Sequence, residues 1–381
     1  MRGLKPPHGD WLLADQTLLL MTQGHEGQNQ PAARHASGSC PNDLHNPINI
    51  ATLECESNPS AQPQKSPIMQ TPPQPSHFSR RSLLASAAVL AGTTLAPTNA
   101  KRIQAMPIQA PQDSTPDHFK ITNRRIRQSV MGWCFKPMPE SELIDHCVEI
   151  GLEAIEGIDA KFYPLAKAKG LKIALVGSHG FATGPVNPAN HRECVDKLTK
   201  SIDLAVQFGA PSVITFTGMR IPNMLDSTAE TNCLECWKRV IEHAEKNKIT
   251  LVLEHLNSRD DSHPMKGHPG YFGDDVERCM DLVKRMNSAN FKLLFDIYHV
   301  QIMNGDVIRR IEKHHPWIGH YHTAGNPGRA EMDESQEINY PPILKAILKT
   351  GYQGFVAQEF IPTWKNPIRS LRHGAMVMDV A

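Results

Sequence analysis

Four short apolar runs in the second half of the chain each finish on a carboxylate or an imidazole. They are Thr250–Glu254 (TLVLE), Phe291–Asp296 (FKLLFD), Trp317–His322 (WIGHYH) and Gly354–Glu359 (GFVAQE). Segments with apolar residues at three- and four-residue spacing lie between them, so the order is strand, helix, strand, helix. Buried strands that all end on chemically active side chains constrain the fold strongly. In a (β/α)₈ barrel the strand C-termini converge on one face and build the site there.

Four earlier runs complete a set of eight: Ser129–Phe135, Ala154–Ile158, Lys172–Gly177 and Ser212–Thr217. Helical periodicity is expected over Glu142–Ile150, Arg192–Phe208, Cys233–Asn247, Asp274–Met286, Val307–His315 and Ile343–Lys349. Gly151, Gly170, Gly209 and Gly351 follow helical segments as stop signals. Eight strands alternating with helices predict an α/β fold, a closed (β/α)₈ TIM barrel over residues 126–381. A doubly wound open sheet is the competing architecture. It is disfavoured because the functional side chains are spread over several strand ends rather than gathered at one crevice.

Composition enters at the N-terminal side. Residues 1–78 are rich in Pro, Gln, Ser, Asn and His and read as a disordered extension, and residues 101–125 read as a linker. Between them, Ser79-Arg80-Arg81-Ser82-Leu83-Leu84 precedes an Ala-rich apolar run ending near Thr98-Asn99-Ala100. This is the anatomy of a twin-arginine export signal over residues 79–100, too short in its apolar part to anchor in a bilayer. Signals start near an N-terminus, so Met69 is the expected start. The expected destination is the periplasm or cell envelope by way of the twin-arginine machinery, and the cytoplasm if the signal is not functional. A formal net charge of +1 and the lack of any basic stripe with interleaved aromatics give no reason to expect a nucleic-acid partner. The one close cysteine pair, Cys233 and Cys236, falls in a helical pattern without a second pair to complete a zinc site, so buried thiols are expected.

A carboxylate after a run such as Leu251-Val252-Leu253 is costly unless something binds it. Glu254, Asp296 and Glu359 share that setting, and His322 joins them at the same barrel end. Three carboxylates and one imidazole suit a hard divalent cation, Mg²⁺ or Mn²⁺ before Zn²⁺, Co²⁺ or Fe²⁺. His299 lies three residues past Asp296, and the turn-rich Thr323–Arg329 loop lifts the Arg329 guanidinium over the barrel mouth. His320 points to the same barrel face as His322 and is expected to be a buried support. Trp133, Glu156 and His179 sit at other strand ends: an apolar wall, a partner behind the ligands and a hydroxyl contact.

These residues carry a resemblance. Glu254 in LEHLNS, Phe295–His299 (FDIYH), Ile318–His322 (IGHYH), Asn326–Arg329 (NPGR), Glu337–Tyr340 (EINY) and Gln358-Glu359-Phe360 resemble the xylose-isomerase-like TIM barrels, and within them the hydroxypyruvate isomerase group. The likeness spans roughly residues 126–380. It implies that Glu254, Asp296, His322 and Glu359 bind the metal, that Glu254 and Glu359 form the acid/base pair, and that His299 and Arg329 contact a small hydroxy-keto acid or sugar. The implied reaction is the interconversion of hydroxypyruvate and tartronate semialdehyde through an enediolate. Hydroxypyruvate isomerases carry Gln at the position of His322, whereas the related ketose 3-epimerases carry His. A ketose 3-epimerase or an inosose dehydratase-like enzyme is therefore the alternative, and an exported carbohydrate-binding protein the non-enzymatic one.

The export reading has a direct test. Replacing Arg80 and Arg81 with Lys is expected to retain the protein inside the cell on fractionation; unchanged export would reduce residues 79–100 to a leader without that role.

Overall fold

The computed structural model describes residues 118–381, so the extension and the twin-arginine segment lie outside the described residues. The strands are β1 (Arg127–Val130), β2 (Ala154–Ile155), β3 (Lys172–Ile173), β4 (Ser212–Thr215), β5 (Thr250–Glu254), β6 (Phe291–Asp296), β7 (Ile318–Thr323) and β8 (Phe355–Gln358). All pair in parallel, in the order β1-β8-β7-β6-β5-β4 with β2 beside β3. A few backbone hydrogen bonds join these two sheets. The Glu156 amide donates to the Val130 carbonyl at 2.9 Å, and the Val176 and Ile214 amides bond across to the Ser212 and Val176 carbonyls at 3.0 Å. The ring of eight strands is thereby closed, as the alternating pattern predicts.

The strand bounds differ from expectation on the β1–β4 side. β1 stops at Val130, and Gly132–Phe135 forms a 3₁₀ turn rather than more strand. β2 and β3 keep only two ladder residues each, because Glu156 and Val176 make isolated bridges where the strands splay. On the helical side, the expected Cys233–Asn247 helix is two: α4 (Asp226–Lys238) and α5 (Ile241–Asn247). Neither Gly nor Pro marks the break. Val240 leaves helical geometry and is buried in the core, a tertiary demand that local propensity does not encode.

Helix starts follow capping chemistry. α6 (Val276–Met286) begins where the Asp275 carboxylate accepts from the Glu277 and Arg278 amides. α10 (Pro367–Met378) begins with Asn366 as cap and Pro367 at the first turn. α7 (Ile297–Met303) is capped by Asp296 itself, so the Asp296–His299 motif is a strand end running straight into a helix.

The strand alternation sorts the interior into two zones. Outward residues such as Leu251, Leu253, Leu293, Phe295 and Tyr321 pack under the helices in the main core. Inward, Leu175, Ile214, Val252 and Leu294 form a separate small cluster that fills the β3–β6 side of the barrel. The opposite side of the lumen is polar, holding Ser129, Glu156, His320 and His322, all buried. Register matters here. Between Leu293/Leu294 of β6 and Ile318/His320 of β7 one residue, Gly319, is skipped, after which Asp296 faces His322 directly. A Cβ on Gly319 would lie 2.9 Å from Val252 Cγ1 and 3.0 Å from Lys292 Cβ, so the bulge needs glycine.

Candidate metal and acid-base site

The C-terminal ends of β5, β6 and β7, with the residue following β8, bring Glu254, Asp296, His322 and Glu359 together, as expected from sequence. One ligand-capable atom from each lies within 4.8 Å of the others, and all four residues are buried. A second cluster, Glu156, His320 and His322, shares the central imidazole. The two differ in how they are satisfied. Glu156 is fully paired: it accepts from His322 Nε2 at 2.9 Å, His320 Nε2 at 3.1 Å and Ser129 Oγ at 2.8 Å. In the first cluster, His322 Nδ1 stands 2.6 Å from Glu359 Oε2 and 3.4 Å from Glu254 Oε1. These three atoms nonetheless lack a partner in hydrogen-bonding geometry. Buried polar atoms rarely stay unpaired. Three ligand-capable atoms converging on one spot fit a cation there, with Glu156 and His320 placed behind His322. Glu156 fixes the His322 tautomer and leaves Nδ1 free to ligate.

Burial acts on every carboxyl in the site, but their neighbours separate them. Glu254 is pushed up to about 7, by desolvation first and then by the charge of Glu359, against a hydrogen-bonding pull from His322. Asp296 rises to about 6, again through desolvation, with Arg329 opposing. Desolvation also works to raise Glu359, yet Arg329 and His322 prevail and bring it to about 2. Glu156 is held well below the usual carboxylate range because its two histidines outweigh its burial.

Arg329 departs from the expected position over the barrel mouth. It is 2 % exposed and reaches into the site, with Nη2 at 2.6 Å from Glu359 Oε2 and 3.3 Å from Asp296 Oδ2, while Nη1 donates to the Met265 carbonyl at 2.6 Å. Its backbone sits at φ 52°, a left-handed conformation costing an arginine on the order of 1–3 kcal/mol, and the three anchors of the guanidinium hold it there. His299 is also deeper than expected. It lies outside the cavity lining, accepts at Nδ1 from the Asn257 amide at 3.0 Å, and stands with Nε2 3.6 Å from Asp296 Oδ2. His179 lines the cavity, but its nitrogens are engaged by Thr215 Oγ1 at 2.9 Å and the Gly180 carbonyl at 3.3 Å. Trp133 forms a wall and donates from Nε1 to Glu359 Oε1 at 3.2 Å.

Above these groups is a cavity of about 280 Å³. Sequence reasoning missed much of its lining: Phe181, Phe216, Met265 and His268. The phenylalanines follow strands that end early, and Met265 and His268 come from the long β5–α6 loop, where only a density of Pro and Gly (HPMKGHPG) signals that the chain turns back on itself.

Buried carboxyls and imidazoles gathered at the C-terminal end of a closed parallel barrel lie where α/β-barrel enzymes build their sites. The chain belongs to the xylose isomerase-like TIM barrel family, whose model matches residues 144–379. Among curated proteins it is 29% identical over 187 residues to the 2-oxo-tetronate isomerase of Cupriavidus necator, covering 49% of this chain and 67% of that one. It is 25% identical over 190 residues to the hydroxypyruvate isomerase of Escherichia coli, covering 48% and 70%. Among solved structures it is similar to a family 2 AP endonuclease from Brucella melitensis, with TM-score 0.55 and 26% identity over 63% of this chain and 95% of that one. It is also similar to an L-ribulose 3-epimerase, with TM-score 0.57 over 67% and 95%; at 16% identity that likeness bears on fold alone.

The raised Glu254 and Asp296 carboxyls predict proton-coupled cation binding. Both must be ionised to ligate, so Mn²⁺ binding below about pH 7 has to expel protons, and affinity should climb as pH rises from 5.5 to 7.5. The slope should approach tenfold per pH unit for each proton released. Calorimetry in two buffers of different ionisation enthalpy reads this directly; pH-independent affinity without proton release would contradict the electrostatic account.

Proposed function

We propose that this protein interconverts hydroxypyruvate and tartronate semialdehyde by proton transfer through an enediolate. Its isomerase class rests on relatives named as isomerases, and the choice of chemistry on one observation. Two buried glutamates, Glu254 and Glu359, flank the same cavity with acidities pushed far apart. A carboxyl pair separated in this way is how a single site offers an acid and a base at neutral pH.

Glu359 is the ionised member, oriented by Arg329 and by the Trp133 indole, and takes the proton from C3. Glu254, whose burial favours the neutral carboxyl, returns a proton at C2 in its protonated form and ligates only when ionised, while the hydroxyl proton moves between the two oxygens and the proton on Glu359 passes back to Glu254 between turnovers. Glu254, Asp296, His322 and Glu359 would hold a divalent cation, Mg²⁺ or Mn²⁺ best suiting that donor set, and when bound it would supply Lewis-acid polarisation and positive charge for the developing oxyanion. Arg329 faces the substrate's acidic end, and His299 braces Asp296 from behind. The aromatic and aliphatic walls exclude water, which strengthens each of these charge interactions.

A second reading has its own support. His322 occupies the position where ketose 3-epimerases carry His, and Trp133, Phe181 and Phe216 offer flat apolar faces of the kind that stack on sugar C–H surfaces. Turnover assays on hydroxypyruvate, ketoses and inososes, each with and without chelator, separate isomerase, epimerase and dehydratase, and inertness on all of them would favour a binding protein.

Whichever carbonyl compound is processed, Glu254→Gln and Glu359→Gln are each expected to lower kcat by at least about 10²-fold with the fold intact. Chelation should abolish activity and Mn²⁺ or Mg²⁺ restore it. A Glu359→Gln enzyme with near-normal kcat would refute the paired mechanism and leave Glu254 to take and return the proton alone.

A further inference from the structure

Among the described residues five glutamate and aspartate side chains are buried: Glu156, Glu254, Asp296, Glu331 and Glu359. Four of them form or back the candidate cation and proton-transfer site. Glu331 stands apart from it. It lies two residues past Arg329, on the loop that follows β7, and is 2 % exposed. Its Oε1 accepts from the Thr363 amide at 2.7 Å, the Trp364 amide at 3.0 Å and the Ser370 hydroxyl at 2.7 Å. Its Oε2 accepts from the Thr363 hydroxyl at 2.7 Å. All four donors are uncharged, and all belong to the stretch that carries the chain from Glu359 into α10.

Burying a carboxylate is costly unless hydrogen bonds offset it. Here every donor comes from one segment and the acceptor from another, so the set closes only when the two segments lie at one spacing. These are the segments that bear Arg329 and Glu359, whose side chains meet at 2.6 Å. Two backbone bonds lie between that pair and the Glu331 clamp. The Ile361 amide donates to the Arg329 carbonyl at 2.7 Å, and the Gly325 amide to the Ala330 carbonyl at 2.8 Å. A left-handed arginine persists only where its surroundings over-determine it. Without the Glu331 acceptor, four donors lose their partner and the backbone at Arg329 is free to relax, carrying the guanidinium with it.

Resting on the reading of Arg329 as the group that faces the substrate's acidic end, we propose that Glu331 is a positioning residue. It fastens the Arg329 loop to the Glu359 segment and so sets the guanidinium where it recognises a carboxylate.

The test titrates the Mn²⁺-loaded protein calorimetrically with glycerate and with glyceramide, which differ in the charge at one end. Wild type should prefer the acid by at least about tenfold, the scale of one charge-assisted hydrogen bond. Glu331→Met keeps the side-chain length without an acceptor, and in it the preference should collapse. Glu331→Gln, whose amide oxygen still accepts from both backbone amides, should restore most of it. In an Arg329→Met background, adding Glu331→Met should change the preference no further, as expected of two residues that act through one group. Thermal melts show which variants fold. If Glu331→Met does not, Ser370→Ala removes one hydroxyl of the clamp and should give a partial loss. An unchanged preference in the folded variant, an equal loss of affinity for both analogues, or a further loss in the Arg329→Met background would overturn the proposal. A preference lost in Arg329→Met but kept in Glu331→Met sinks the role of Glu331 alone. No preference in wild type sinks the reading of Arg329 and the proposal with it, whereas a Glu331-dependent preference without hydroxypyruvate turnover sinks the isomerase reading alone.

Discussion

The imidazole of His322 is gripped from both sides by carboxylates, and the site is organised around that grip. On one side Glu156 accepts from Nε2 inside the barrel lumen; on the other, Glu254 and Glu359 crowd Nδ1. Removing the carboxylate behind a ligating histidine typically costs 10–100-fold in metal affinity. Glu156 has a further partner in His320, so a carboxylate buried in the barrel is compensated by two imidazoles and the Ser129 hydroxyl. The polar half of the lumen exists to hold that group. Its apolar counterpart on the β3–β6 side, Leu175, Ile214, Val252 and Leu294, fills the rest of the lumen with packed side chains.

Three buried carboxyls, Glu254, Asp296 and Glu359, gather beside one guanidinium. The structure balances their charge by geometry that differs for each group. Burial and the charge of Glu359 raise Glu254, burial raises Asp296 against the pull of Arg329, and Arg329 with His322 brings Glu359 down despite its burial. Two groups with raised affinity for protons are also two places where a divalent charge can replace them. In the proposed function, the same feature would link cation binding to the separation of acid from base.

Much of this was legible in the sequence because a parallel barrel writes its site into strand ends. Glu254, Asp296, His322 and Glu359 each follow an apolar run, and the structure brings all four together. Spacing by two residues put His320 and His322 on one face, although the bulge at Gly319 that sets their register against β6 leaves no mark beyond a glycine. Loops were less readable. The depth of Arg329 depends on the Met265 carbonyl, and the cavity walls depend on Phe181, Phe216 and His268, contacts between segments far apart in the chain. The α4–α5 break was invisible for the same reason, since Val240 leaves the helix to satisfy core packing. Periodicity reports which face of an element is buried, not what a long loop will fold over.

The central claim is that one divalent cation sits among Glu254, Asp296, His322 and Glu359, supported from behind by Glu156. A crystal of the Mn²⁺-soaked protein, with anomalous scattering measured at the manganese edge, tests it most directly. The account predicts a single strong peak in contact with those four side chains, with His322 Nε2 still bonded to Glu156. A peak among Glu156, His320 and His322 instead, or no peak at a saturating concentration of Mn²⁺, would contradict it.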